Sequence, residues 1–403
     1  MKRRVEFLAG ALIWLFQGFA VAQDGHSAAP QGGDVRPFEL VRTVAALQDR
    51  IVMGDAAAKA KLPLLISQIS DRLFACGAAV WAEARNDHAI VAYTLSGGQP
   101  RVIRKVLQTG AVPHAEADLM AGALAYAEGQ EAKAKQILLP IEATKLPPSV
   151  GGLVALAQAA LLSKIDPRRA ARLLDEARIL APGTLVEEAA LRRSALLADE
   201  VADFDRFINA SSQYFRRYSK SLYANDFRRR FAESIVRFGL KDEPGPSARL
   251  TGLLSELDRP YQAELYLIIA QAGVRNGKIG PAKAAAEKAL SLSEQGGAAR
   301  SRAQLYAAIA KVLIVSPAEG LTELAQIDDA VLPRGDRDLK SAVAQLATQI
   351  QRSADGGQAQ DASSIDRAPG SGGESHDANG SMLIQSAQAA LQQTDALLRR
   401  SAQ

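Results

Sequence analysis

The sequence predicts an all-α fold, an α-solenoid of stacked helical hairpins. Of the 403 residues, 48% are hydrophobic and 5% aromatic, and most of the hydrophobic residues are alanine or leucine, which favour helices. The chain has no run of alternating polar and apolar residues of the kind that marks a half-buried strand. The segment 151–182 instead shows a helical period, a break and a second helical period.

This segment, the template hairpin (151–182), sets the pattern for most of the chain. Its apolar residues recur at helical spacing up to Leu161, and the pattern breaks at 164–167 before a second helix. Asp166 is placed to act as an N-cap, and Pro167 suits a first helical turn because it needs no N–H partner there. The second half has the spacing of a tetratricopeptide repeat (TPR), so we expect a TPR-like solenoid.

Helices with this pattern follow one another over 37–350, which we expect to form one helical TPR-like repeat domain. Asp55 is placed to cap the second helix, and Gly277 suits a turn because it tolerates positive φ. With a period near 34 residues the domain would hold about nine hairpins. The helical segments are predicted at Pro37–Met53, from Asp55 to Phe74, Arg85–Leu95, Arg101–Leu107, Ala117–Leu139, 151–182, Leu185–Leu197, Val201–Arg217, Tyr261–Leu292, Ala303–Val315, Ala318–Ile327 and Leu339–Ile350.

Residues 1–22 have the three parts of a secretory signal peptide. A basic start precedes the apolar run Phe7–Phe19, which is shorter than the roughly 20 residues that a membrane span needs. The run ends at Ala20-Val21-Ala22, a cleavage site of the A-x-A type. We predict export to the bacterial periplasm with no membrane span after cleavage; a retained anchor is the alternative.

Three further segments lie outside the repeat domain. Residues 23–36 are rich in Gly, Ala, Ser and Gln and are predicted to be a flexible lead-in. The Gly- and Ser-rich segment 351–381 is predicted to be a disordered linker. Residues 382–403 regain an apolar stripe at helical spacing and are predicted to form an amphipathic C-terminal helix.

Two strings near the N-terminus resemble a known family. They are PFELVRTVAALQDRIVMGDAAA at 37–58 and YTLSGGQPRVIRKVL at 93–107. Both are similar to the MotC family, periplasmic motility proteins of rhizobia and related alphaproteobacteria, whereas Ala75-Cys76-Gly77 departs from the family pattern. The resemblance implies an accessory role to the flagellar stator, through binding the periplasmic part of a MotB-like stator protein.

The sequence offers no catalytic or metal-binding constellation. The four histidines are far apart, and we interpret the single cysteine, Cys76, as a small buried side chain rather than a reactive thiol. Adjacent carboxylates at Glu187-Glu188 point to different helix faces, so we interpret them as a solvated helix start. We therefore expect no enzymatic activity, no metal, no cofactor and no small-molecule substrate.

The segment 214–231, YFRRYSKSLYANDFRRRF, concentrates aromatic and basic residues in a chain poor in aromatics. Either the rings form core and the arginines a solvated face, or the basic residues form a partner surface. An exported protein should not meet nucleic acid, so a protein or cell-wall partner is preferred. The candidate surface consists of Arg216, Arg217, Lys220, Arg228, Arg229 and Arg230.

The sequence pattern leaves three functions to distinguish. The first is an interaction protein that binds a stator component, since solenoids offer long binding surfaces. The second, a general periplasmic adaptor or assembly factor for another envelope complex, fits the same fold. The third is a lytic transglycosylase, which the short C-terminal region leaves no room for. The resemblance at 37–58 and 93–107 favours the first.

The signal-peptide prediction has a direct test. We expect the mature chain to begin at Gln23, because the A-x-A site ends at Ala22. N-terminal sequencing of the protein from a periplasmic extract measures this. A chain that starts at Met1 and fractionates with membranes would contradict it.

Overall fold

The computed structural model describes residues 36–110, 114–239 and 244–362, and over these ranges it contains seventeen α-helices, short 3-10 turns and no strand. The all-α prediction is confirmed. The helices are α1 (Pro37–Val52), α2 (Ala56–Ala75), α3 (Ala84–Leu95), α4 (Pro100–Gln108), α5 (His114–Ala127), α6 (Glu131–Leu138), α7 (Pro148–Leu162), α8 (Pro167–Leu180), α9 (Leu185–Glu200), α10 (Phe204–Tyr218), α11 (Ala224–Phe238), α12 (Pro244–Ser255), α13 (Arg259–Arg275), α14 (Ile279–Leu292), α15 (Ala298–Ile314), α16 (Pro317–Ala325) and α17 (Arg334–Ala362).

The chain divides into two compact units between Phe227 and Arg228, where the sequence predicted one continuous domain over 37–350. Large aromatic side chains close the core of the first unit at this point. The rings of Tyr214 and Phe215 lie with their centroids 4.1 and 5.4 Å from that of Phe227.

The template hairpin is confirmed as α7 and α8 of the first unit. An Asp166 carboxylate oxygen accepts the Arg169 N–H at 2.9 Å, so this residue caps α8 as predicted. Leu174 and Ala177 on the inner face of α8 are 2% and 0% exposed. On α7, the absence of a side chain at Gly151 permits close packing, since a Cβ there would lie 2.3 Å from the Ala143 carbonyl oxygen.

The first helices of the unit pack around buried aliphatic and aromatic residues. Asp55 caps α2 through a 2.9 Å bond from the Ala58 N–H, as the sequence predicted. On α1, Val44 and Ile51 are buried in the same core as Trp81, which lies in the 3-10 turn between α2 and α3 and is 1% exposed. This core supports the faces of α1 and α3 that carry the site described below.

In the second unit, α13 and α14 form a close hairpin of the predicted repeat spacing. A Cβ at Gly273 would lie 2.8 Å from the Ala282 Cβ, and Ala286 and Ala289 are fully buried. The turn places Gly277 at a φ of +68°, a conformation that glycine adopts without strain. Small residues therefore set the spacing of these helices, as they do in the template hairpin.

A buried polar contact joins α15 to α17 in the same unit. The Tyr306 hydroxyl donates to one Asp336 oxygen at 2.7 Å, and the Arg302 Nε donates to the other at 2.7 Å. Burial raises the pKa of Tyr306, and the nearby Asp336 charge adds to the shift. This contact secures the start of α17.

The last described helix corrects the predicted C-terminal boundary. α17 continues to Ala362, so the first part of 351–381 is helical rather than disordered. Once a helix is established, adding a residue costs little, and Ala, Gln and Arg in this stretch favour it. The predicted signal peptide (1–22), most of the lead-in (23–36), the rest of the linker and the helix at 382–403 lie outside the described residues.

Leu174 provides a stability test of the hairpin register. We expect Leu174→Ala to lower the free energy of unfolding by about 2–5 kcal/mol, because it leaves a cavity in a closely packed core. Ile179→Ala on the same helix is the control, since Ile179 is 76% exposed and its loss should cost no more than about 0.5 kcal/mol. Urea unfolding followed by circular dichroism measures both, and equal effects would contradict the register.

Candidate functional site

Four helices of the first unit, α1, α3, α7 and α9, surround an open groove. A cavity of about 290 Å³ lies between α1, α3 and the start of α7, and a second of about 120 Å³ lies between α1, α7 and α9. The two cavities are adjacent, since they share lining residues. We call them together the first-unit groove; the shared residues are Ala45, Gln48, Ser96, Ser149 and Leu153.

The floor of the first-unit groove is apolar. Phe38 and Val41 contribute from α1, Ala89 from α3, and Leu153 and Leu156 from α7. Phe38 is half-buried, and the other four are buried. A floor of this composition favours aliphatic or aromatic side chains of a ligand over strongly hydrated groups.

Arginines line both cavities of the groove. Arg42 and Arg85 line the larger cavity, and Arg192 and Arg193 line the smaller one. The Arg85 guanidinium lies 4.1 Å from the centroid of the Phe38 ring and also pairs with Glu83. The floor of the groove is therefore apolar, and most of the charged side chains that line it are cationic.

Two part-buried polar contacts hold α1 in place against the other helices of the groove. The Gln48 Nε2 donates to the Ser96 carbonyl oxygen at 2.9 Å. An Asp49 carboxylate oxygen accepts the Leu185 N–H at 2.9 Å, and burial raises the pKa of Asp49. Since Gln48 and Asp49 belong to the string at 37–58, and Ser96 to that at 93–107, both strings contribute directly to the groove.

Arg193 is the half-buried cation of the groove. Its Nη1 donates to the Leu156 carbonyl oxygen at 3.3 Å, and no carboxylate among the described residues lies within ion-pair distance of it. Burial is the main cause of a lowered pKa of Arg193, and the neighbouring Arg192 charge acts in the same direction. Tyr126 and Glu188 offset only part of this shift in the pKa. The charged form of this side chain is therefore incompletely compensated.

The interpretation of Glu187-Glu188 as a solvated helix start is wrong, because the two residues are 3% and 0% exposed. The Tyr214 hydroxyl donates to Glu188 at 2.7 Å, and the Tyr218 hydroxyl donates to Glu187 at 2.8 Å. Burial is the main cause of a raised pKa in both tyrosines, and the adjacent carboxylates add to it. Each glutamate thus ties α9 to α10.

Arginines complete this buried network. Arg192 donates from two nitrogens to the two Glu188 oxygens, each at 3.3 Å, and Arg217 Nη1 lies 2.7 Å from Glu187. The Glu187 side chain also accepts the Gly183 N–H at 2.6 Å. A buried carboxylate is tolerated when it is paired and hydrogen-bonded in this way, and the pairing positions Arg192 at the end of the groove.

Five of the six aromatic residues of 214–231 belong to the core, in line with one of the two interpretations, and the sixth, Tyr223, is half-buried. Tyr214, Tyr218, Phe227 and Phe231 are at most 2% exposed. Such fully buried rings are unavailable to a partner, so only the basic side chains of the segment bear on the other interpretation.

The six candidate surface residues fall in different units. In the first, Arg216, Arg217 and Lys220 are exposed, and Arg217 also pairs with Glu187. In the second, Arg229 and Arg230 are exposed. Arg228 has a 13% exposed side chain that pairs with Glu264 at 3.1 Å.

Arg217 and Arg228 each pair with a carboxylate of the fold, Glu187 and Glu264. Their replacement should disturb packing as well as charge. The partner-surface role of the set stays a prediction.

Another buried carboxylate, that of Asp87, lies at the first turn of α3, next to the groove residue His88. Asp87 is 0% exposed, and neither of its carboxylate oxygens has a hydrogen-bond partner among the described residues. Burial and the nearby Glu116 charge raise the pKa of Asp87 to about 6. The neighbouring His88, which lines the groove, lies 3.3 Å from Glu116.

Within the described ranges there is no group of three or more His, Cys, Asp or Glu side chains that could hold a metal ion. Cys76 is buried, as the sequence indicated, and burial raises the pKa of its thiol. None of the helices in this part of the chain is long and apolar enough to cross a membrane.

Comparison with known proteins places these features in a family. The family model described as "Chemotaxis protein MotC" matches residues 1–403. The chemotaxis protein MotC of Rhizobium meliloti (strain 1021) is 28% identical over 329 residues, which cover 79% of this chain and 73% of that protein. The crystal structure of the P58(IPK) TPR domain covers 89% of both chains at 13% identity, with a TM-score of 0.22 that is too low to bear on the fold.

The buried glutamate network yields a stability prediction. Glu188→Ala should lower the free energy of unfolding by about 3–5 kcal/mol, since it leaves Arg192 and the Tyr214 hydroxyl without their acceptor. Glu131→Ala is the matched control: Glu131 also pairs four residues ahead, with Lys135, but is 55% exposed and should cost at most about 1 kcal/mol. Urea unfolding of both variants measures this, and similar losses would contradict a structural role for the network.

Proposed function

The chain belongs to the MotC family of chemotaxis proteins, and we propose that it supports flagellar rotation from the periplasm by binding the periplasmic part of a MotB-like stator protein. The signal-peptide pattern of 1–22 supports the location. The family match over 1–403 supports a role in motility. In this proposal the protein acts by binding and carries out no chemistry.

The observation that carries the binding role is the first-unit groove. Its floor is apolar, its charged side chains are mainly arginines, and contacts of Gln48 and Asp49 hold α1 in position before any partner arrives. A preformed site loses less conformational freedom on binding, which favours affinity. The groove is formed in part by the strings at 37–58 and 93–107, where the family resemblance is carried.

The proposal predicts the behaviour of a strain that lacks the gene. Such a strain should assemble flagellar filaments and yet fail to swim or swim poorly, because the stator would lack its periplasmic support. Swim-agar diameter and electron microscopy of filaments measure the two properties. Normal swimming, or loss of the filaments themselves, would favour the general adaptor function instead.

Binding is tested directly with purified proteins. The mature chain should retain the periplasmic domain of the MotB-like protein from the same bacterium in a pull-down, and it should not retain an unrelated periplasmic domain of similar charge. Complementation of the null strain by the gene on a plasmid controls for effects on neighbouring genes. Failure to retain the stator domain would contradict the proposed partner.

A further inference from the structure

We propose that the first-unit groove binds an amphipathic, acidic segment of the partner, with apolar side chains on the groove floor and a carboxylate paired to Arg193. This inference rests on the proposed function and specifies which part of the chain binds and what chemistry it recognises. The occupant is a segment of the partner protein; neither a second copy of this chain nor one of its own termini is proposed.

Arg193 is a cation of the groove that has no carboxylate partner among the described residues. Its guanidinium is half-buried at the end of the smaller cavity and donates to the Leu156 carbonyl, with no ion pair among the described residues. The adjacent Arg192 differs, since Glu188 accepts from two of its nitrogens. Removing a charge from water is costly unless an opposite charge compensates it, so a ligand carboxylate would be stabilised at Arg193.

The rest of the groove is also mainly positive in charge. Arg42, which lines the larger cavity, is exposed and makes no ion pair with the described part of the chain. The one carboxylate among the lining residues, Asp49, is occupied by the Leu185 N–H. Each cavity of the groove therefore presents positive charge, which is complementary to a segment with carboxylates spaced along it.

The groove also has an apolar floor. Val41 and Leu153 are buried beneath the larger cavity, and the half-buried Phe38 forms part of its wall. A wholly polar acidic peptide would leave this surface without an apolar partner. An amphipathic segment places apolar side chains there while its carboxylates reach the arginines, as helices do in hydrophobic grooves of other proteins.

The chain's own C-terminal segment is a poorer fit on charge. Residues 382–403 carry an apolar stripe, but their charged residues are Asp395, Arg399 and Arg400, a net excess of positive charge. Like charges facing one another oppose binding. Charge complementarity thus favours an acidic segment of another protein.

The test measures the affinity of the mature chain for the purified periplasmic domain of the MotB-like protein by isothermal titration calorimetry. Arg193→Gln should weaken binding at least about tenfold, because it removes the cation that pairs with the ligand carboxylate. Arg193→Lys should retain part of the affinity through its charge. Arg168→Gln is the matched control, as Arg168 is exposed on α8 and lines none of the groove, and it should bind as the unchanged protein does.

A second measurement does not depend on how the Arg193 variants fold. A photo-crosslinking amino acid replaces Ala45, an exposed groove residue, or Ala132, an exposed residue of α6 outside the groove. The variant at 45 should crosslink to the stator domain and the variant at 132 should not. Digestion and mass spectrometry of the product should then identify a partner segment that contains both Asp or Glu and apolar residues.

The outcomes separate the two proposals. If the unchanged chain does not bind the stator domain, the proposed function fails, and the inference fails with it. If that chain binds but Arg193→Gln binds equally well and no crosslink forms at 45, the groove inference alone is overturned. A crosslink from 45 to a second copy or within the chain, or to a partner segment without carboxylates, would also overturn it.

Discussion

The arrangement of the first unit depends on the contacts of the buried Glu188 carboxylate with Arg192 and Tyr214. An ionised group that is fully removed from water is tolerated when its charge and its lone pairs are satisfied, and here Arg192 and Tyr214 do so. Glu187 imposes a similar requirement through Tyr218 and the Gly183 N–H. Any slip of α10 along α9 would leave these groups unpaired, so the hairpin has one register.

The same constraint reaches the groove through Arg192, which lies on its border. Hairpins elsewhere in the chain are spaced by alanine and glycine, as at Gly273 and Ala282, where contacts are apolar and tolerate small adjustments. Around the groove, directional contacts of Gln48, Asp49 and Arg192 define the positions of α1 and α9. The most specific packing in the unit thus lies where a partner would bind.

The sequence predicted those features that depend on a few adjacent residues. Asp55 and Asp166 cap helices, and Gly277 takes a positive φ, because each relies on atoms within one turn. The burial of Glu188 depends on Tyr214, 26 residues further on, and no helical period reports that distance. The groove is formed by residues of four helices. The sequence alone does not distinguish Arg193 from an exposed arginine, because its contact with the Leu156 carbonyl depends on how α9 packs against α7. For the buried glutamates, the available signal was the pair Tyr214 and Tyr218, which lie four residues apart and therefore share one face of the helix after Glu187-Glu188.

The burial of Trp81 has a practical consequence for studying the two units. The sequence contains two tryptophans, and Trp14 lies in the segment with the signal-peptide pattern. A chain processed after Ala22 would retain a single indole, enclosed in the core of the first unit. Its emission would report the melting of that unit alone, whereas far-ultraviolet ellipticity would sum over the helices of both. Superimposable curves from the two signals would indicate one cooperative transition, and separated curves would indicate independent melting.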